Sequence, residues 1–110
     1  MKLIMAIVSN DDAGNVTTAL TDNGFWVTRL ATTGGFLKAG NTTLLLGVEE
    51  ERIQDALKII ESVCKSRKQM TTAPTAMTGI THGEYTTYPV EVTVGGATVF
   101  ILSIDQCLKV

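Results

Sequence analysis

The chain has 110 residues, of which 45% are hydrophobic and 18% are charged, and its formal net charge is −2. This length fits one domain (residues 1–110) with one core, and the apolar content argues against disorder. Because there is no large positive field, neither nucleic acid nor an anionic membrane surface is expected as a partner.

The two cysteines and the N-terminal segment indicate in which cellular compartment the protein is expected. Cys64 and Cys107 fit neither a zinc spacing nor the disulfide framework of a small secreted domain, so both are expected to be reduced thiols, one packed on a helix face and one near the C-terminus. Residues 1–8 are too short for a signal peptide, and no apolar run reaches membrane-spanning length. A cytoplasmic protein is therefore expected.

The first half of the chain predicts a strand, a helix and a hairpin. Residues 2–8 form a nearly continuous apolar run, which is typical of a central strand. Residues 9–12 (SNDD) supply capping oxygens and carboxylates for a helix that ends at Asn23 and Gly24. Residues 25–32 and 42–48 then predict two strands joined by a glycine-rich connection.

The second half predicts one more helix and a second hairpin. Three glutamates at 49–51 suit a helix N-terminus, and apolar side chains at helical spacing follow over residues 53–64. The basic cluster in residues 65–68 (KSRK) is expected to close this helix, with a phosphate site as the alternative. Residues 69–88 show no periodic pattern and predict a long loop that orders when something binds. Residues 89–94 and 97–102 predict a hairpin around Gly95 and Gly96.

The element order β-α-β-β-α-β-β predicts an α+β, ferredoxin-like fold, βαββαβ plus an extra C-terminal strand. Its antiparallel sheet would carry both helices on one face. The other face would be open, and its apolar side chains would be hidden by self-association.

Catalytic chemistry has little support in the sequence. His82 is the only histidine, lies in the long loop, and has no partner that a motif identifies. No phosphate-loop, dinucleotide or nucleophile motif occurs, and the glutamates lack further ligands at metal spacing. No catalytic or metal site is therefore predicted, and a small enzyme that uses His82 is the least favoured alternative.

Residues 32–41 combine three glycines with Phe36 and Asn41. Consecutive glycines let backbone N–H groups converge on a phosphate, Phe36 could stack on a base, and Asn41 offers the donor and acceptor that adenine requires. Each feature also has a structural interpretation: a turn, a plug over the core and a strand cap, with Gly47 as a bulge. On residues alone, a nucleotide site and a structural loop are about equally supported.

Several stretches resemble the PII-like cyclic di-AMP receptors of Gram-positive bacteria. The matching stretches are 30–37 (LATTGGFL), 40–43 (GNTT), 47–48 (GV), 88–92 (YPVEV) and 94–100 (VGGATVF). The resemblance implies a homotrimer of ferredoxin-like subunits without catalytic activity. One cyclic di-AMP would bind at each subunit interface, flanked by residues 33–41 and 69–88, whose reshaping would signal to an unknown downstream protein.

Site residues also follow from the resemblance. Thr28 would contact phosphate and Asn41 would read adenine, while Gly35, Phe36 and Leu37 would line the base, and Gly47 and Phe100 would shape the pocket.

The chain departs from the family pattern at three positions around this site. Trp26 stands where the family has an arginine, Gly24 where an asparagine is common, and Lys109 where a glutamine is typical. Trp26 could stack on a base and Lys109 could restore positive charge, so both are included in the predicted site. Cyclic di-AMP binding that is weaker or differently posed is expected. The alternative is a PII-like trimer that has lost or altered nucleotide binding and serves as an interaction module.

Overall fold

The computed structural model describes residues 1–30, 40–74 and 87–110. The elements in chain order are β1 (Lys2–Ser9), α1 (Asn10–Asp22), β2 (Val27–Leu30), β3 (Asn41–Val48), α2 (Ile53–Cys64), β4 (Arg67–Pro74), β5 (Thr87–Val94) and β6 (Ala97–Ser103). A single 3-10 turn, Glu50–Arg52, leads into α2. No helix in the described part of the chain is long and apolar enough to cross a membrane.

Four strands form an antiparallel sheet in the order β2-β3-β1-β6. Burial alternates along the two inner strands because successive side chains point to opposite faces. The buried members are Ile4, Ala6 and Val8 on β1, and Leu44, Leu46 and Val48 on β3. They pack against the apolar stripes of the two helices, represented by Val16, Leu20, Ala56 and Ile60. The core therefore lies between one sheet face and the helices, and the predicted α+β, ferredoxin-like class is confirmed. The predicted extra C-terminal strand was wrong, because the last strand, β6, pairs with β1 in the main sheet, and the additional strands β4 and β5 precede it.

The start of α1 differs in detail from the prediction. Ser9 occupies the capping position, but no side-chain capping bond forms there. Its hydroxyl donates instead to Asp12 Oδ2 at 3.2 Å, and Asp12, only 3% exposed, accepts a bond from Arg67 Nη2 at 2.9 Å. The Arg67 hydrogen bond is the main cause that lowers the pKa of Asp12. Asp12 is therefore an ion-pair partner of β4 and not a helix cap.

The segment after α2 is a strand where the sequence predicted a helix end and a loop. The helix ends at Cys64, and β4 begins at Arg67 and pairs antiparallel with β5 as a separate two-stranded sheet. We call β4 and β5 the arm. Lys68 pairs with Glu91 across it, with 3.3 Å between Nζ and Oε1. The prediction that residues 65–68 close the helix and that residues 69–74 are loop was wrong.

The predicted hairpin around Gly95 and Gly96 was also wrong, because β5 pairs with β4 while β6 pairs with β1. The two glycines carry the chain from the arm into the main sheet with φ angles of +81° and +86°. A Cβ on Gly95 would lie 2.9 Å from the Lys65 carbonyl oxygen, and the Gly96 N–H donates to the carbonyl of Cys64. The glycines therefore allow close packing on the end of α2 in place of a turn.

Candidate ligand-binding site

A cavity of about 400 Å³ lies where the start of β2, the end of β3 and the C-terminal segment meet. Its lining includes Gly24, Trp26, Gly47, Arg52 and Lys109. Three predicted site residues, Trp26, Gly47 and Lys109, are thus brought together, although they are far apart in the sequence.

The turn after α1 explains why Trp26 faces this cavity. Gly24 has a φ of +85°, which few other residues adopt, and the Phe25 N–H donates to the Leu20 carbonyl at 3.0 Å. Phe25 is thereby buried in the core, and Trp26, the next residue, is 82% exposed. Since β2 begins only at Val27, the predicted strand start at residue 25 was two residues early.

Two cations that line the cavity each lie over an aromatic ring. Lys109 Nζ lies 5.2 Å from the centroid of Trp26, and the Arg52 guanidinium lies 4.1 Å from the centroid of Phe25. An aromatic surface with nearby cations suits a ligand that carries both a flat ring and negative charge. Arg52 was not predicted from the sequence. Its signal was its position, because a cation in the first turn of a helix opposes the helix dipole.

Gly47 lies in a regular part of β3, opposite Leu3 of β1, so the bulge interpretation is wrong. A Cβ at this position would meet only the Met1 sulfur, at 3.9 Å. The chain's own packing therefore does not require a glycine here. A strand glycine without such a reason is typical of a place where a ligand approaches the backbone.

Thr28 and Phe100 share one row across the open sheet face. Thr28 pairs with Leu45, Leu45 with Met5, and Met5 with Phe100. Directly paired side chains point to the same face, so all four lie opposite the helices. The row spans the whole sheet, and its ends are about 14 Å apart because neighbouring strands are spaced by about 4.8 Å.

Asn41 begins β3 at the end remote from Gly47. It is exposed and lines a second cavity, of about 340 Å³, with Gly95, Gly96 and Thr98. Gly47 lies six positions further along the strand, or about 20 Å away. Four residues with predicted or alternative roles lie outside the described residues: Gly35, Phe36, Leu37 and His82. Their roles therefore stay predictions.

Neither cysteine belongs to a metal centre within residues 1–30, 40–74 and 87–110, since that part contains no group of three or more His, Cys, Asp or Glu placed to hold an ion. Cys64 is buried on α2, as predicted, and burial raises its pKa to about 11. It therefore stays a protonated, unreactive thiol at neutral pH. Cys107 is an exposed free thiol.

The structure is thus a ferredoxin-like domain with a cavity lined by aromatic and cationic side chains. The model of the cyclic-di-AMP receptor family matches residues 1–110, and the chain belongs to that family. Among solved structures it is similar to a functionally unknown protein from Pediococcus pentosaceus ATCC 25745. The two share 38% sequence identity at a TM-score of 0.77, over 99% of this chain and 96% of that one.

Proposed function

We propose that this protein is a non-enzymatic homotrimeric receptor that binds cyclic di-AMP between its subunits and signals to a partner through the segments beside the ligand. Membership of the cyclic-di-AMP receptor family supports the ligand. The observation that carries the interface site is the wide separation of the predicted contacts within one subunit.

The predicted contacts are too dispersed for one compact ligand on one subunit. Thr28 and Phe100 lie at opposite edges of the sheet, about 14 Å apart, and Asn41 and Gly47 lie about 20 Å apart along β3. In a ring of subunits, the β2 edge of one subunit can meet the β6 edge of the next. A ligand between subunits would then contact Thr28 of one and Phe100 of the other.

The open sheet face supports the trimer. Phe100 is 50% exposed, and Leu102 and Leu30 are also exposed large hydrophobic residues. Register places Phe100 beside Met5 and Leu102 beside Leu3, on the face opposite the helices. An apolar face of this kind is normally covered by another chain, and three copies around an axis would cover it.

Ligand and assembly can be tested together. Sedimentation should give a trimer, and calorimetric titration should give heat with cyclic di-AMP but not with cyclic di-GMP or ATP at the same concentration. A trimer that gives no heat with cyclic di-AMP would contradict the receptor function and favour the alternative, a trimeric interaction module. A monomer that binds cyclic di-AMP would contradict the interface site.

Mixed trimers test whether the site is shared. Thr28→Ala and Phe100→Ala should each weaken binding, and Gln54→Ala, at an exposed position of α2 on the other side of the sheet, serves as the control. When the two weakened chains are refolded together, about a quarter of the interfaces regain both native residues. Tight binding should therefore return at about a quarter of the sites. If both contacts came from one subunit, no mixture would recover tight sites.

A further inference from the structure

Arg52 lines the same cavity as Trp26, and two contacts hold its guanidinium in place. Its guanidinium lies 4.1 Å from the centroid of the buried Phe25 ring, and its Nη2 donates to the Asn23 carbonyl at 2.9 Å. A guanidinium has five N–H donors, so one hydrogen bond leaves the others available. Two separate contacts fix the plane of the group, which reduces the entropy it would lose on binding a ligand.

The two cations of the cavity, Arg52 and Lys109, are not used in internal ion pairs. The described residues contain two ion pairs, Arg67 with Asp12 and Lys68 with Glu91, and neither involves the cavity. Glu49 also lines the cavity and contributes one carboxylate. Two positive groups against one negative group leave a positive balance at this place in a chain whose net charge is −2.

Gly24 lies directly beside the Arg52 guanidinium. A Cβ at residue 24 would lie 3.5 Å from Arg52 Nη1, in ordinary contact, and a longer side chain would compete for the same volume. Gly24 and Arg52 line the cavity together, so the small residue leaves this part of the lining open beside the guanidinium.

We infer that Arg52 and Lys109 form a phosphate subsite in which a phosphodiester of the ligand binds between the two cations while a base stacks on Trp26. This inference rests on the proposed function and names the groups that determine affinity at one end of the site. Arg52 presents a planar fork that suits two phosphate oxygens, whereas Lys109 acts as a point charge. Glu49 opposes the anion.

Calorimetry on charge variants tests the subsite. Arg52→Gln should weaken cyclic di-AMP binding about ten- to a hundredfold, the effect of losing a charge-assisted hydrogen bond. Arg52→Lys should recover part of the loss, since it keeps the charge but not the fork. Glu49→Gln should tighten binding. Lys58→Gln, an exposed cation of α2 that does not line the cavity, changes net charge equally and should leave affinity unchanged.

Trp26 gives a direct readout, because it is the only tryptophan of the chain. Cyclic di-AMP should change its fluorescence with the same midpoint as the heat, and Arg52→Gln should move both midpoints together. If the wild type binds with heat but without a fluorescence change, or if Arg52→Gln binds like Lys58→Gln, the subsite is refuted while the receptor stands. If the wild type gives no heat at all, the proposed function itself fails. A melting temperature for each variant separates lost binding from lost folding.

Discussion

Gly95 at the base of the arm should tolerate no side chain. A Cβ there would lie 2.6 Å from Arg67 Nη1, 2.9 Å from the Lys65 carbonyl oxygen and 3.1 Å from the Cys64 carbonyl oxygen. The arginine is long and can move, but the two carbonyls belong to the end of α2. Gly95→Ala must therefore displace backbone, and we expect it to be strongly destabilising.

The variant Gly96→Ala separates the two causes of the lost stability, the positive φ and the overpacking. Both glycines have positive φ, which costs an alanine about 1–2 kcal/mol. At Gly96 the nearest atom to the added carbon would be Ser66 Cβ at 3.8 Å, so this variant carries only that cost. Gly95→Ala adds an overpacking term of about 1–3 kcal/mol. The free energy of unfolding should thus fall by about 2–5 kcal/mol for Gly95→Ala and by about 1–2 kcal/mol for Gly96→Ala.

Urea denaturation of both variants, at one protein concentration and without ligand, measures the difference. A gap of about 1 kcal/mol or more corresponds to roughly 4 °C or more in melting temperature for a domain of this size. Equal losses would show that Gly95 does not pack on the end of α2 and would refute the observed path between arm and sheet.

Two further predictions concern Asp12 and Gly47. The folded pKa of Asp12 lies below its unfolded value, so its stabilising contribution is complete above that unfolded value, about pH 4, and is lost as the pH falls through the folded pKa. Asp12→Asn should therefore be less stable than wild type at pH 7, and the gap should narrow in denaturation curves below pH 4; a constant gap would contradict the ion pair. Gly47→Val should leave the melting temperature nearly unchanged, since a Cβ meets only the Met1 sulfur at 3.9 Å, but should weaken cyclic di-AMP binding in calorimetry because the branched side chain fills the cavity. Unaltered affinity would place the ligand elsewhere.

The core elements could be predicted because burial imposes a period on the sequence. β1 and α2 each cover one side of the core, so their apolar residues recur at strand and helix spacing. β4 has no such pattern, because it pairs only with β5 and covers no side of the core. Its first four residues are all exposed: Arg67, Lys68, Gln69 and Met70. Two glycines between apolar runs are typical of a hairpin, and nothing local indicates that the strands on either side join different sheets.

The site was predictable by residue type but not by arrangement. Trp26 and Lys109 were included in the predicted site because they depart from the family pattern. Only the folded chain shows that they share a cavity with each other and with Gly47. Arg52 follows three glutamates, and this local pattern indicates a helix N-terminus and not a cationic binding site. Its contact with Phe25 joins residues 27 positions apart, a relation that no local period can encode.

The start of α1 contacts both the beginning of β3 and the base of the arm. The Asn10 N–H donates to the Gly40 carbonyl at 2.7 Å, and the Thr42 hydroxyl donates to Asn10 Oδ1, so α1 holds the chain where β3 begins. Two residues further on, Asp12 holds Arg67 at the base of the arm. A helix turn moves as a unit because its hydrogen bonds are local. We therefore expect a ligand that displaces the chain at Gly40 to strain the contact at Arg67, and protonation of Asp12 to weaken its ion pair with Arg67 while the Asn10 bonds stay intact.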